Sequence, residues 1–380
     1  MKLTDVVDRI NGNVDRFNTD LEYYIGGEHF DSEELIISKR GTIKDNLGKL
    51  GFKFHFAFQD RDVIFMARNP HLRKAGMVRF SGLCSDASYI LRSKNEKVIS
   101  QDFLAVMLQS DRFWDYCESH KVGSVNFANN WSTIANYEFQ LPDPKFQREL
   151  ADKVWAAYEV KQSYLKMIDA TQEMVKAQFV EMFENQTECP KDLLKEHVKE
   201  MFIGPFGSAL KNECFVEDDT RFCVVYEQKH AIDKDITIPF RYVNEDKYNE
   251  LKRFTITPGD IIVSCRGTVG EVFLIPQNAP IGIMHPSIMK IRLNEGYMPE
   301  FFIYALTKYM KERERLNIGT GIKMAIKATE LENEYFPVPT LEAQRCFVDI
   351  VHQADKSISE LRKSVDAIDK VIKSLINENL

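Results

Sequence analysis

Thr257-Pro258-Gly259-Asp260-Ile261-Ile262-Val263-Ser264-Cys265-Arg266-Gly267 decides how this chain is read, because the chain contains a second version of it. That version is Phe58-Gln59-Asp60-Arg61-Asp62-Val63-Ile64-Phe65-Met66-Ala67-Arg68, and Asp62 and Arg68 each stand 198 residues before Asp260 and Arg266. Further on, Asn136-Tyr137-Glu138-Phe139-Gln140-Leu141-Pro142 matches Asn333-Glu334-Tyr335-Phe336-Pro337-Val338-Pro339, and Gln147-Arg148 matches Gln344-Arg345, both 197 residues apart. A period this long belongs to a duplicated domain rather than a solenoid. A molecule built twice suits a partner that is itself two-fold.

Working outward, each copy has the same internal order. A β-rich stretch with partial alternation comes first, as in Phe52–Phe58 and Arg221–Tyr226. The Asp-Val-Ile-Phe and Asp-Ile-Ile-Val runs follow as short buried strands, the second after a Pro258-Gly259 turn. A helix is expected over Asp102–Cys117 and over Pro299–Leu316. Glycine-containing loops come next, Gly123-Ser124-Val125-Asn126 and Gly319-Thr320-Gly321-Ile322-Lys323.

Each copy then leads into a long apolar repeat. Leu150, Val154, Ala157, Lys161, Tyr164, Ile168, Thr171, Val175, Gln178 and Met182 step alternately by four and three. Phe347, Val351, Ala354, Ile358, Leu361, Val365, Ile368, Ile372 and Leu375 do the same. No proline interrupts either run, and a sustained 3.5-residue period is a coiled-coil seam. The polar residues in the first seam point to one specific partner, the second helix. About 35 residues would make a rod on the order of 50 Å long. The expected class is α+β: two similar domains of mixed sheet and helix, separated by two long antiparallel coiled-coil helices. The segments are 1–146 and 188–341 for the domains, with 147–187 and 342–380 for the helices.

Bulk composition narrows the function. The chain has 44% hydrophobic and 28% charged residues, an ordinary soluble balance. No apolar run is long enough to cross a bilayer, and the N-terminus lacks a signal-peptide stretch. Seven cysteines without a Cys-x-x-Cys pair point to reduced thiols in the cytoplasm and no zinc site. Residues 1–146 carry 19 basic and 20 acidic side chains, and residues 188–341 carry 20 and 23, so neither is globally basic. Basic charge is instead local: residues 61–79 and 308–327 each have a net of +4. Such patches attract phosphates even on an acidic chain.

At this point the chain resembles the specificity (S) subunit of a type I restriction-modification system, over nearly its whole length. The resemblance rests on Pro258-Gly259-Asp260-Ile261-Ile262-Val263-Ser264-Cys265-Arg266-Gly267-Thr268-Val269-Gly270 and on Gly319-Thr320-Gly321-Ile322-Lys323. It rests also on Phe336-Pro337-Val338-Pro339-Thr340-Leu341-Glu342-Ala343-Gln344-Arg345 opening a long helix. It implies two target-recognition domains held apart by two antiparallel helices, each domain reading one half of a split double-stranded DNA sequence. It implies two methyltransferase subunits docked on the helices, and endonuclease subunits with ATP-driven translocation in the larger complex. AdoMet, Mg and ATP are then expected on those partners only, with no cofactor on this chain.

Motifs for catalysis are missing. Asn69-Pro70-His71-Leu72 and Asp143-Pro144-Lys145-Phe146 lack the second proline and the aromatic that would grip a flipped base. There is no Gly-x-Gly-x-x-Gly and no Gly-x-x-x-x-Gly-Lys-Ser/Thr. Pro142-Asp143 with Glu159-Val160-Lys161 has nuclease spacing, but Lys161 lies on a helical seam. What remains is recognition by polar and basic loop residues. In the first copy the candidates are Lys39, Arg40, Lys44, Asn69, His71, Arg73, Lys74, Lys121, Ser124 and Asn126. In the second they are Lys211, Gln228, Lys229, His230, Arg266, Thr268, His285, Ser287, Thr320 and Lys323. Arg suits guanine and Asn or Gln adenine; Arg68 and Arg266, being duplicated, are equally suited to bracing the fold. The rival function is a coiled-coil adaptor that joins proteins without touching DNA, which the net charge of −7 would suit.

Overall fold

The computed structural model describes residues 1–125, 127–185, 189–317 and 327–380. Contacts divide the chain into two units, Met1–Ile168 with Ser359–Leu380, and Asp169–Ile358.

The duplication is written in the strand order. In the first unit a sheet runs Val7–Ile10, Ser88–Ser93, Val63–Met66, Ala75–Val78, Ile36–Ile37. In the second unit Val198–Ile203, Ile288–Leu293, Ile261–Ser264 and Val272–Leu274 repeat its first four places, all antiparallel. The first unit's other sheet runs Gly41–Thr42, Tyr23–Ile25, Gly82–Ser85, Phe54–Phe58. Its counterpart runs Arg241–Val243, Cys223–Tyr226, Gly282–Met284, Thr255–Ile256. Both have one parallel pair, in the middle of the sheet. The true counterpart of Cys223–Tyr226 is therefore Tyr23–Ile25, not the phenylalanine-rich Phe54–Phe58 that matches it in texture. Periodicity sees alternation but not partner strands.

The Asp-Val-Ile-Phe and Asp-Ile-Ile-Val runs form strands buried on both faces. Val63 and Phe65 face a core filled by Phe103, Phe113 and Trp114, whereas Ile64 and Met66 face the second sheet through Ile25, Phe58 and Cys84. Ile261 and Val263 meet Phe301 and Phe302, and Ile262 meets Val224, Tyr226 and Met284. Strand alternation thus assigns each residue to one of two cores. A continuous apolar run is what a middle layer requires.

The aspartate that opens each run is a brace. Asp62 is 1% exposed and takes a two-pronged bond from Arg92, Nε to Oδ1 at 2.7 Å and Nη2 to Oδ2 at 2.8 Å. Asp260, also 1% exposed, is held the same way by Arg292 at 2.6 and 2.8 Å. Planar guanidinium against carboxylate is the geometry that makes a buried charge tolerable. The repeated glutamines are braces too. Gln147 donates to Val98 and Pro142 carbonyls at 2.8 and 2.9 Å, and Gln344 donates to Gly296 and Pro339 carbonyls, both at 2.9 Å.

The expected helix over Asp102–Cys117 is two helices, Gln101–Met107 and Asp111–Ser119. Ser110 is the reason: its side chain accepts from the Phe113 amide and starts a new helix. The helix expected over Pro299–Leu316 spans Pro299–Asn317.

The long helices run Pro144–Phe179 and Leu341–Asn377. All nineteen seam positions read from the sequence are buried or half-buried. Within the first unit, Leu150, Val154 and Tyr158 share a core with Ile372 and Ile376, and Lys161 bridges to Asp369 across the two helices at 2.8 Å. Within the second, Phe179 and Phe183 pack on Phe347 at ring separations of 5.3 and 5.6 Å. In the first unit low numbers on one helix meet high numbers on the other, as antiparallel pairing requires. Lys161 is no flaw in the seam. Only 7% exposed, it also binds Glu34 at 2.5 Å, and Glu34 in turn accepts from the Tyr158 hydroxyl at 2.9 Å.

Candidate nucleic-acid interface

In the second unit the ends of three strands bring separate candidates onto one rim. The His285 amide donates to the Tyr226 carbonyl at 2.8 Å, and the Cys265 amide donates to the Ser287 carbonyl at 2.8 Å. These bonds set the Arg266 turn, the Gln228 helix start and the His285-Pro286-Ser287 loop side by side. Gly267 takes φ +69°, which glycine tolerates, and a Cβ there would lie 3.5 Å from Gln228 Nε2. The turn can therefore sit against the Gln228 amide, whose Oε1 is buried without a partner among the described residues. Arg266 and Thr268 are exposed.

Charge on this rim is partly committed. Glu227 pairs with Arg241 and, at 3.3 Å, with Lys229. Burial opposes the Glu227 charge, but those cations outweigh it and hold the carboxyl below its usual range. Lys229 also donates to the Pro239 carbonyl at 2.7 Å. Lys211, exposed, precedes Asn212, whose side chain accepts from Arg241 at 3.3 Å. His285 is half-buried, bonded to Ser287 Oγ at 2.8 Å, and burial pushes its pKa down. Ser287 is only 7% exposed, so it orients His285 and offers little surface of its own.

His230 requires a correction. It is fully buried, stacks on Phe240 at 4.5 Å, and its Nδ1 accepts from the Glu227 amide at 3.0 Å. Burial lowers its pKa. The ring is a neutral cap inside the fold and has no face for a base. His29 does the same in the first copy, accepting from the Gly26 amide at 2.8 Å. That match between copies is invisible in the sequence because the residues between differ.

The first unit builds its rim from the segment between Val63–Met66 and Ala75–Val78. The Asn69 amide donates to the Phe127 carbonyl at 2.8 Å, and Arg68 bridges Ala128, which also pairs with Val122. Asn69, His71 and Ser124, all exposed, thus share one rim with Lys121. Lys121 is held by Glu118 at 2.6 Å and lies over Phe127. Arg73 and Lys74 are less available than their charge suggests. Arg73 pairs with Glu33 at 2.8 Å and with Asp111, and Lys74 donates to the Gly27 carbonyl at 2.8 Å. Both brace the loop, in which Asn69 and Arg73 adopt left-handed backbone. Lys39, Arg40 and Lys44 flank Gly41–Thr42, which pairs with Tyr23–Ile25. Lys39 pairs with Asp31 at 2.6 Å, Arg40 covers Tyr23 at 4.0 Å, and Lys44 is exposed. Asn126, Thr320 and Lys323 lie outside the described residues.

Arg68 and Arg266 occupy matching corners, exposed and without an ion pair among the described residues. Sequence reasoning missed Arg241, which reaches the rim only because Val225 and Arg241 are register partners.

The nuclease spacing does not assemble. Asp143 caps the first long helix, accepting from the Lys145 and Phe146 amides at 3.0 and 3.1 Å. Glu159 is exposed sixteen residues further on, about 24 Å along that helix. Lys161 is committed to Glu34 and Asp369. Among the described residues no group of three or more His, Cys, Asp or Glu is placed to hold a metal, and no helix is long and apolar enough to cross a membrane.

Residues 222–368 match the family model for the type I restriction modification DNA specificity domain. A putative type I restriction enzyme MjaX specificity subunit from Methanocaldococcus jannaschii is 27% identical over 136 residues, 36% of this chain and 31% of that protein. The match thus spans about a third of that relative's length. Two solved chains share the fold across 100% of this chain. One comes from a study of complex assembly and conformational transition in a type I restriction-modification system, with TM-score 0.59, 18% identity and 97% of that chain covered. The other is the S subunit of a type I system from M. genitalium, with TM-score 0.51, 13% identity and 95% covered.

Proposed function

We propose that the chain is a specificity subunit of a type I restriction-modification system, which the match of residues 222–368 supports, and that it reads a two-part DNA target through its two rims. Residues 1–146 and 188–341 serve as the readers, and the helices of 147–187 and 342–380 dock two methyltransferase subunits, with endonuclease subunits joining the larger complex. The chain itself is non-catalytic; AdoMet, Mg and ATP act on the partners. One observation carries the reading: each repeat ends its middle strand in an exposed arginine, Arg68 or Arg266, on a rim of polar loop residues that differ between the copies. A shared arginine suits backbone positioning, and differing neighbours suit different base sequences. The exposed Asn69 and the Gln228 amide are the side chains matched to adenine edges.

The adaptor reading makes the opposite prediction for DNA. Filter binding of duplex DNA to the full chain, with and without a methyltransferase partner, separates the two. Salt-dependent binding that Arg266→Ala weakens supports the reader; no DNA binding in either condition supports the adaptor.

A further inference from the structure

The second unit holds a basic pocket. A cavity of about 470 Å³ is walled by Lys252, Arg253, Lys290 and Arg292 against one lining carboxylate, Glu200. It lies near the start of Ile261–Ser264, whereas Arg266 follows the other end of that strand.

Lys290 is the unusual member. Its side chain is 2% exposed, its ammonium pairs with Glu200, donates to the Thr255 carbonyl at 3.2 Å, and sits 4.7 Å from the centre of the Phe202 ring. An ammonium has three donors, so one is left over. Burying a cation is expensive unless something requires it. The fold does not: strand register equates Lys290 with Ile90, since each occupies the same place opposite the middle strand, facing Ile262 and Ile64. The same registers equate Glu200 with Asp8 and Thr255 with Ala57. Arg292 has a basic counterpart in Arg92, and both are claimed by a buried aspartate. The first copy is thus an internal control that folds without the buried lysine.

Lys252 and Arg253 are exposed and have no carboxylate partner among the described residues. Lys290 holds Glu200 below the usual carboxylate range, so Glu200 stays ionised and holds the lysine in place. Counting Asp260 behind Arg292, the group still carries two more positive than negative charges.

We propose that this pocket binds a phosphate group. A phosphate, singly charged in a strand and up to doubly charged when free, has several acceptor oxygens to match the spare ammonium donor, the Arg253 guanidinium and the Lys252 ammonium together. The phosphate has two possible sources, a DNA strand or a free phosphorylated small molecule. The proposal stands apart from the function proposed above, because neither requires the other.

The test is calorimetric titration of the full chain with inorganic phosphate at low salt. One saturable site is expected. Lys252→Ala/Arg253→Ala should weaken it at least about tenfold, the loss of a single charge-assisted contact. Lys290→Ile, which installs the first copy's residue, should also weaken it; thermal melting of both variants checks that they fold. A parallel DNA-binding series against salt separates the sources. If the salt slope of the double variant falls by about one or more, the phosphate is the strand's. If phosphate binding is lost while the slope holds, the ligand is a small molecule. The proposal is overturned if the chain shows no saturable phosphate binding and the slope is unchanged, or if both variants bind phosphate as the parent does. Phosphate binding without any DNA binding would leave the pocket standing and sink the DNA-reading function instead.

Discussion

Replacing Lys161 by methionine should weaken the first unit by about 2–3 kcal/mol. Removing one partner of a buried ion pair costs roughly 3–5 kcal/mol, since the opposite charge is stranded. Lys161 is 9% exposed at its side chain and Glu34 24%, but Asp369 is 48% exposed and regains water, which lowers the figure. The Tyr158 hydroxyl also continues to donate to Glu34. Methionine fills the volume, so the loss reports charge rather than a cavity. All three tryptophans, Trp114, Trp131 and Trp155, fall in the first unit, so intrinsic fluorescence follows that unit alone during urea unfolding. With a slope of about 2 kcal/mol/M, the midpoint should drop by roughly 1–1.5 M. Adding Glu34→Gln and Asp369→Asn removes the stranded charges and should recover most of the loss. An unchanged midpoint for Lys161→Met, or a triple variant no better than the single, would refute the reasoning. Burial opposes the Lys161 charge, but bonds to Asp369 and Glu34 outweigh it and raise its pKa above 10.5. The contribution is therefore full below that pH and fades only as pH climbs through the raised value.

Val365→Asp places a charge at a seam position only 9% exposed and should cost several kcal/mol, again read by tryptophan fluorescence. Arg266→Ala should leave the melting temperature unchanged while reducing the salt slope of DNA binding by about one. His230, His285 and His29 all have pKa values lowered by burial, so the unfolded chain takes up protons first as pH falls. Stability should therefore hold above about pH 6.5 and decline below it, and His230→Ala should lower it at pH 7.5 while flattening that decline in a denaturation series. Glu159→Ala should leave DNA cleavage by the assembled complex intact.

Much of the architecture was legible because it depends on periodicities. The 3.5-residue seam and the Asp-Ile-Ile-Val run need only local residues to be read, and burial follows both. Strand partnership was not legible. Cys223–Tyr226 belongs with Tyr23–Ile25 because both lie parallel to an inner strand, a relation fixed by contacts about 60 residues away. The rim was half legible. Arg266 and Thr268 were found because a Gly-containing turn after a buried strand must be exposed. His230 was misread because a histidine beside lysine and glutamine looks like a surface group, and only Phe240 and the Glu227 amide reveal it as a cap. Arg73 and Lys74 were read as free charge, but Glu33, Asp111 and the Gly27 carbonyl come from segments distant in sequence.

The central claim is that the two repeats read different halves of one target. It is tested most directly by methylation of a DNA library with randomised half-sites and spacers, using this chain mixed with a type I methyltransferase subunit. Exchanging the half-buried Gln228 together with the exposed Thr268 on the second rim should change one half-site and leave the other as it was. A change in both half-sites, or methylation indifferent to either, would contradict the account.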